Sequence, residues 1–161
     1  MSFPKFKRPL NIPIVLLVII LCECNYFKQN ETAMNNKDKQ KIIESFIHAY
    51  NTFDLDGMLK NIHRDILFEN ISKGQVDLKT EGIDEFKKQA EYAMIYFEKR
   101  REKITNINFE GDRVELDIDY LGILAKDLSN ELKSGDTLKL KGKSIFRFQD
   151  NKIRGIRDII E

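Results

Sequence analysis

The stretch Phe46–Gly74, FIHAYNTFDLDGMLKNIHRDILFENISKG, changes its hydrophobic period within one short run. Up to Asp54 the period is helical: Ile42, Ile43, Phe46, Ile47 and Tyr50 recur on one stripe of a helix predicted over 37–54. Asp54 then reads as the N-cap of a short second helix that turns Leu55, Met58, Leu59 and Ile62 inward. Beyond it, ILFENIS and QVDLKT are short strands separated by a turn at Lys73-Gly74. The polar pair Glu69-Asn70 stands where a half-buried strand would continue, and alternation sends the two side chains to opposite faces. A register slip of one residue would exchange them and put a carboxylate where the amide is expected.

Downstream, GIDEFKKQAEYAMIYFEKRREK predicts a long third helix with Ile83, Phe86, Ala90, Met94 and Phe97 on its apolar stripe. Asp84 and Glu85 fall in its first turn and Lys99, Arg100 and Arg101 in its last, which complements the helix dipole. From Ile104 the period becomes two. Val114, Leu116, Ile118 and Tyr120 alternate with Glu115, Asp117 and Asp119, whereas Leu138, Leu140, Gly142, Ser144, Phe146 and Phe148 alternate with Lys139, Lys141, Lys143 and Arg147. One acidic and one basic outer face predict an antiparallel pair in which opposite charges support the pairing, each by about 0.2–1 kcal/mol. A last strand, NKIRGIRDII, returns after the Asp150-Asn151 turn. Two helices, two strands, a long helix and three or four long strands make an α+β domain.

The first residues have a different composition. Lys5, Lys7 and Arg8 precede PIVLLVIILC, an uncharged apolar run too short to span a bilayer as a helix. We read residues 1–21 as a signal peptide and Cys22, in the lipoprotein-like box IILC, as the lipidation site, although Leu21 is larger than the residue usually found before such a cysteine. That predicts lipid anchoring at a bacterial cell envelope, with secretion as the alternative. Residues 22–37 are polar and aperiodic and suit a tether, leaving 38–161 as the folded domain. No cysteine follows Cys24, so the domain has neither a disulfide nor a thiolate metal site. Of 27 basic residues, three lie in the leader with no acid, which leaves 24 against 26 acids and a net charge of −2 rather than +1. A nucleic-acid partner is therefore not expected.

The quoted stretch, the helix start TEGIDEF and the closing KSIFRFQDNKIRGIRDIIE together resemble the nuclear transport factor 2-like superfamily, in its SnoaL-like and ketosteroid-isomerase-like branch. The likeness runs from about Lys39 to Glu161. It implies a cone: a curved, mostly antiparallel sheet wrapped around three helices, with a pocket at the open end. Members include isomerases, cyclases, dehydratases, hydrolases and domains without chemistry. Isomerase chemistry needs a carboxylate base and two oxyanion donors, a tyrosine and a protonated acid. The resemblance places these on Asn70, Phe46 and Ser144: an amide that cannot act as a base, a ring without a hydroxyl, and a hydroxyl in place of the acid, so all three groups are replaced and isomerase chemistry is not expected.

The pocket predicted from this likeness is mostly apolar, lined by Phe46, Tyr50, Phe68, Asn70, Tyr120, Ser144 and Phe146. Without its acid–base groups it would bind a small apolar molecule or serve as an interaction module. The alternative is an enzyme using Glu69, Asp158 or a tyrosine. His63 is expected to make a local contact near Asp65, and His48 to lie on a helix surface. Tyr92 and Tyr96 are further candidates for the core or pocket wall. The two histidines lack metal-ligand spacing, and there is no phosphate loop or nucleophile elbow, so no metal or cofactor is expected. Ile145 and Ile156, apolar on faces expected to be polar, suggest a homodimer through the sheet.

Overall fold

The computed structural model describes residues 34–160. The leader, Cys22 and most of the tether lie outside the described residues. Helix α1 (Asn36–Asn51) starts at Asn35, whose side chain accepts a hydrogen bond from the Asp38 amide at 2.9 Å. The last two residues of the expected tether, Asn36 and Lys37, are thus helical. Ile43, Phe46, Ile47 and Ala49 form the buried stripe of α1. Lys39 is buried at its first turn and donates to the Gly111 carbonyl.

The chain leaves α1 through Phe53, held in the left-handed region at φ 57°, where a bulky residue is strained. Asp54 caps helix α2 (Leu55–Leu59) by accepting from the Gly57 amide at 2.9 Å. A side chain at Gly57 would run into the Asp54 carboxylate, so this turn requires glycine. Helix α2 is shorter than expected, because Ile62 begins strand β1 (Ile62–Ser72) by pairing with Ile153. Strand β2 (Gln75–Glu81) follows across the Lys73-Gly74 turn, in which both residues take positive φ.

The larger correction concerns the third helix. Helix α3 is Ile83–Met94, and the chain turns at Tyr96, whose amide bonds to the Ala93 carbonyl at 3.2 Å. Phe97, Lys99, Arg100 and Arg101 belong not to a last helical turn but to strand β3 (Phe97–Glu110). The cause is tertiary. This segment pairs with β4 (Arg113–Leu124) along its whole length, from Phe97↔Leu124 to Glu110↔Arg113, with bulges at Glu98 and Thr105. A full ladder outweighs the modest helix propensity of Glu, Lys and Arg.

Strands β5 (Thr137–Gln149) and β6 (Lys152–Ile160) complete one six-stranded sheet in the order β2-β1-β6-β5-β4-β3. Only β1 and β6 run parallel. The charged outer faces meet as expected: Asp117 lies opposite Lys143 and Asp119 opposite Lys141, and the Lys143 ammonium reaches Glu115 at 2.6 Å. The architecture is α+β, a curved open sheet enclosing three helices.

The core lies between the concave face and the helices. Phe46 stands edge-on to Phe146 at 5.7 Å, and Phe86 edge-on to Phe68 at 5.5 Å. Val114, Leu116 and Ile153 have no exposed surface, and each such side chain contributes about 1.5–3 kcal/mol by leaving water. Ile156 is also in this core, 3% exposed, so it does not offer an apolar outer surface for a dimer. Among the described residues no helix is long and apolar enough to cross a membrane.

Candidate functional site

Enclosing helices within a sheet leaves a cavity of about 390 Å³ at one end of the concave face, within the usual range for small-molecule sites. Its walls include Phe46, Tyr50, Phe68, Asn70, Tyr120, Ser144 and Phe146, and also Arg100, Glu102 and Asp158. Strand register explains this grouping. In one row across the sheet, Asp158 of β6 lies between Asn70 of parallel β1 and Ser144 of antiparallel β5. In a second row, Glu102 of β3 lies beside Tyr120 of β4, which lies beside Leu140 of β5. Curvature brings the two rows close enough for Asp158 and Glu102 to interact electrostatically.

Each polar group is held by a local device. The Ser144 hydroxyl donates to Asp158 Oδ1. Asn51, at the end of α1, donates through Nδ2 to the Glu102 carbonyl at 2.9 Å and accepts from the Glu102 amide at 2.7 Å. Because β3 is a sheet edge, this amide side chain takes the place of a strand partner. Arg100 is 5% exposed; its Nε donates to the Tyr50 carbonyl at 2.7 Å. Its guanidinium lies between the Tyr50 ring at 3.7 Å and the Phe53 ring at 4.4 Å. Opposite Arg100 stands Gly122, where a Cβ would approach Phe97 Cε1 to 2.7 Å and the Tyr120 hydroxyl to 2.9 Å. The missing side chain lets Phe97 pack edge-on against Tyr120 at 6.0 Å.

The environment separates the two carboxyl groups. Burial, reinforced by the charge of Asp158 and opposed by that of Arg100, pushes Glu102 up to about 8. Burial raises Asp158 to about 6, with the Ser144 hydroxyl acting in the other direction. Near neutral pH Glu102 is a proton donor and Asp158 an acceptor. Burial also raises Tyr50 well above its ordinary value and Tyr120 to about 12, so both keep their hydroxyl protons.

These groups overturn the expectation of a cavity without acid–base equipment. The likeness to the isomerase branch tested only Phe46, Asn70 and Ser144, whereas the acids arrive at two other positions. Asp158 is one of the groups named for the alternative enzyme reading, whereas Glu102 is hidden in the predicted helix end. The sequence carries no local signal for Glu102, since residues 100–103 are all charged and the alternation appears only in the burial of the folded strand.

The remaining candidates lie elsewhere. Glu69 faces away from the cavity and pairs with Arg157 at 2.6 Å, so no slip exchanges it with Asn70. Tyr92 is exposed and exchanges a hydroxyl contact of 2.6 Å with Tyr96 outside the cavity. His63 accepts from the Asp65 amide at 3.1 Å and lies 3.5 Å from Asp150, and His48 is exposed on α1. Among the described residues no group of three or more His, Cys, Asp or Glu could hold a metal ion.

Known proteins share this arrangement of elements. A candidate SnoaL-like polyketide cyclase from Jannaschia sp. CCS1 superposes with a TM-score of 0.66 at 13% identity, over 78% of this chain and 86% of that one. A candidate polyketide cyclase from Xanthomonas campestris pv. campestris gives 0.64 at 21% identity, over 80% and 93%. An LEH-like epoxide hydrolase from M. tuberculosis gives 0.63 at 17% identity, over 78% and 84%. No curated protein sequence matches the chain. The family model of the SnoaL-like domain matches residues 43–156, more than half of the sequence, and so the chain belongs to the SnoaL-like domain family.

Proposed function

We propose that the cavity is an acid–base catalytic site for a small, largely apolar, oxygen-bearing substrate, and that the reaction is hydrolytic opening of a strained cyclic ether. One observation carries this reading: Asp158 and Glu102 share one aromatic-walled cavity with their proton affinities held apart. A water near Asn70 and Asp158 would lose a proton to Asp158 as its oxygen bonds to a ring carbon. The carbon–oxygen bond breaks, and the proton of Glu102 passes to the departing oxygen. A diol leaves, and transfer of one proton from Asp158 to Glu102 restores the resting state. The structural neighbour from M. tuberculosis is described as an epoxide hydrolase, which supports the choice of substrate.

The test is diol formation from a panel of terpene and aryl epoxides. We expect turnover that falls at least about a hundredfold in both Asp158→Asn and Glu102→Gln. No diol from any member would favour the second reading, binding of a small apolar molecule without chemistry. Phe46 and Ser144, which stand where the isomerase branch has its oxyanion donors, support that reading.

We also propose that the domain is anchored to the cell envelope through a lipid on Cys22, with secretion as the alternative; the basic start and apolar run of residues 1–21 support this. Intact mass from the native host tests it. A mature chain beginning at Cys22 with an added diacyl or triacyl mass is expected, and an unmodified chain would contradict anchoring.

A further inference from the structure

The cavity walls hold two carboxyl groups, Glu102 and Asp158, together with Arg100, Lys141 and Lys143. Among the described residues no salt bridge joins either carboxyl group; Asp158 has the Ser144 hydroxyl, and Glu102 bonds to Asn51 through its backbone. Arg100 does not neutralise them by contact, since it spends Nε on the Tyr50 carbonyl and lies between two rings. Both lysines belong to outward-alternating positions of β5: the Lys143 ammonium pairs with Glu115 and Asp117, and Lys141 is exposed opposite Asp119, so the charged groups facing the inside are Glu102, Asp158 and Arg100. The rest of the wall is aromatic and aliphatic, with Phe68, Phe86, Phe97 and Tyr120 presenting ring surface.

From this arrangement we infer that the cavity binds small apolar monocations. The ligand is a protonated amine whose hydrocarbon body fills the ring-lined space and whose ammonium lies between Glu102 and Asp158. The inference rests on the same carboxyl pair as the acid–base reading and names a ligand class for it.

Electroneutrality supplies the physical reason. With both carboxyl groups ionised, the wall carries one negative charge in excess of Arg100, a costly state away from bulk water. The free protein removes that excess by keeping a proton on Glu102. An ammonium removes it equally well and adds up to three donors for Asp158, Glu102 and the Asn70 amide oxygen. Ring faces attract the same cation. A carboxylate ligand would bring an uncompensated negative charge to a wall that is balanced when Glu102 is protonated, and is excluded.

The charged or hydroxyl-bearing groups facing Glu102 are Arg100 on its own strand, Tyr50 from α1, Tyr120 from β4 and Asp158 from β6. Only Asp158 titrates in the same range, so amine binding near neutral pH exchanges one ligand cation for one proton from Glu102.

The experiment is calorimetric titration of the full chain with cyclohexylmethylamine, cyclohexylmethanol and cyclohexanecarboxylate, which share a hydrocarbon body and differ in charge. The amine should bind at least about tenfold more tightly than the alcohol, and the carboxylate should not bind. Repeating the titration at about pH 7 in buffers of different ionisation enthalpy should show close to one proton released per amine. At about pH 9 that release should shrink, and in Glu102→Gln it should vanish. A carboxylate that binds as tightly as the amine, or an amine no tighter than the alcohol, overturns the inference. The comparison of wild-type ligands needs no variant, so a poorly folded mutant does not blunt it. Failure of the acid–base reading is seen separately: it appears as unchanged epoxide turnover in Asp158→Asn, whatever the amine does.

Discussion

The side chain of Asn51 closes two hydrogen bonds with the backbone of Glu102, one to its carbonyl at 2.9 Å and one from its amide at 2.7 Å. A helix terminus thereby fixes the main chain of the residue proposed as the proton donor. Asn51→Ala leaves both backbone groups without that partner and should cost about 1–3 kcal/mol in urea unfolding. Because Glu102 then loses its anchor, kcat should fall more than KM rises. An unchanged kcat would show that Asn51 serves stability alone.

Glu102 gives stability a definite pH dependence. Its carboxyl is raised from the ordinary 4.5 to about 8, so folding favours the protonated form. That contribution is complete below about pH 4.5 and is lost as pH rises through about 8. Asp158 acts in the same direction between its ordinary 3.8 and about 6. Relative to the wild type, Glu102→Gln should therefore have its most favourable melting temperature at about pH 9 and lose the advantage near pH 5. A difference between the two proteins that does not vary with pH would contradict the raised value.

Thr80, on edge strand β2 opposite Phe68, has a hydroxyl with no hydrogen-bond partner among the described residues and only 7% of its surface exposed. A buried hydroxyl without a partner is a cost to the folded state. Thr80→Val, of similar shape, should raise stability by about 1 kcal/mol in chemical denaturation. A loss of stability would mean that the hydroxyl finds a partner in solution.

Gly142 lines the cavity where β5 bends past the end of β6, and a Cβ there would overlap the Ile159 carbonyl oxygen. The obstacle is backbone, so it cannot rotate away. Gly142→Ala should destabilise by about 2 kcal/mol or more and disturb the Asp158 side of the site. A variant with wild-type melting temperature would show that the strand crossing is looser than this.

Much of the fold was legible because its signals are local. The α1 stripe, the Asp54 cap with Gly57, the Asp150-Asn151 turn and the opposed charges of β4 and β5 each follow from residues close in sequence or from simple alternation. The site was less legible. The alternation of β4 and β5 puts Tyr120 and Ser144 with the apolar residues of their strands, and Asn70 and Ser144 could be placed in the pocket through the family resemblance. Arg100 and Glu102 could not, since FEKRREK is built of good helix formers and its strand character comes from pairing with β4, a non-local effect. With Phe97–Lys103 read as helix, the cavity lost one wall. The acid on that wall went unseen, and Asp158 had no apparent partner.

The central claim is that this cavity keeps one carboxyl group protonated beside one that is ionised near neutral pH. Carbon-13 NMR titration of the side-chain carboxyl groups, assigned with Glu102→Gln and Asp158→Asn, measures this directly. The account predicts that Glu102 titrates near 8 and Asp158 near 6, each shifting when the other is replaced. Both groups titrating near 4 and independently of each other would contradict it.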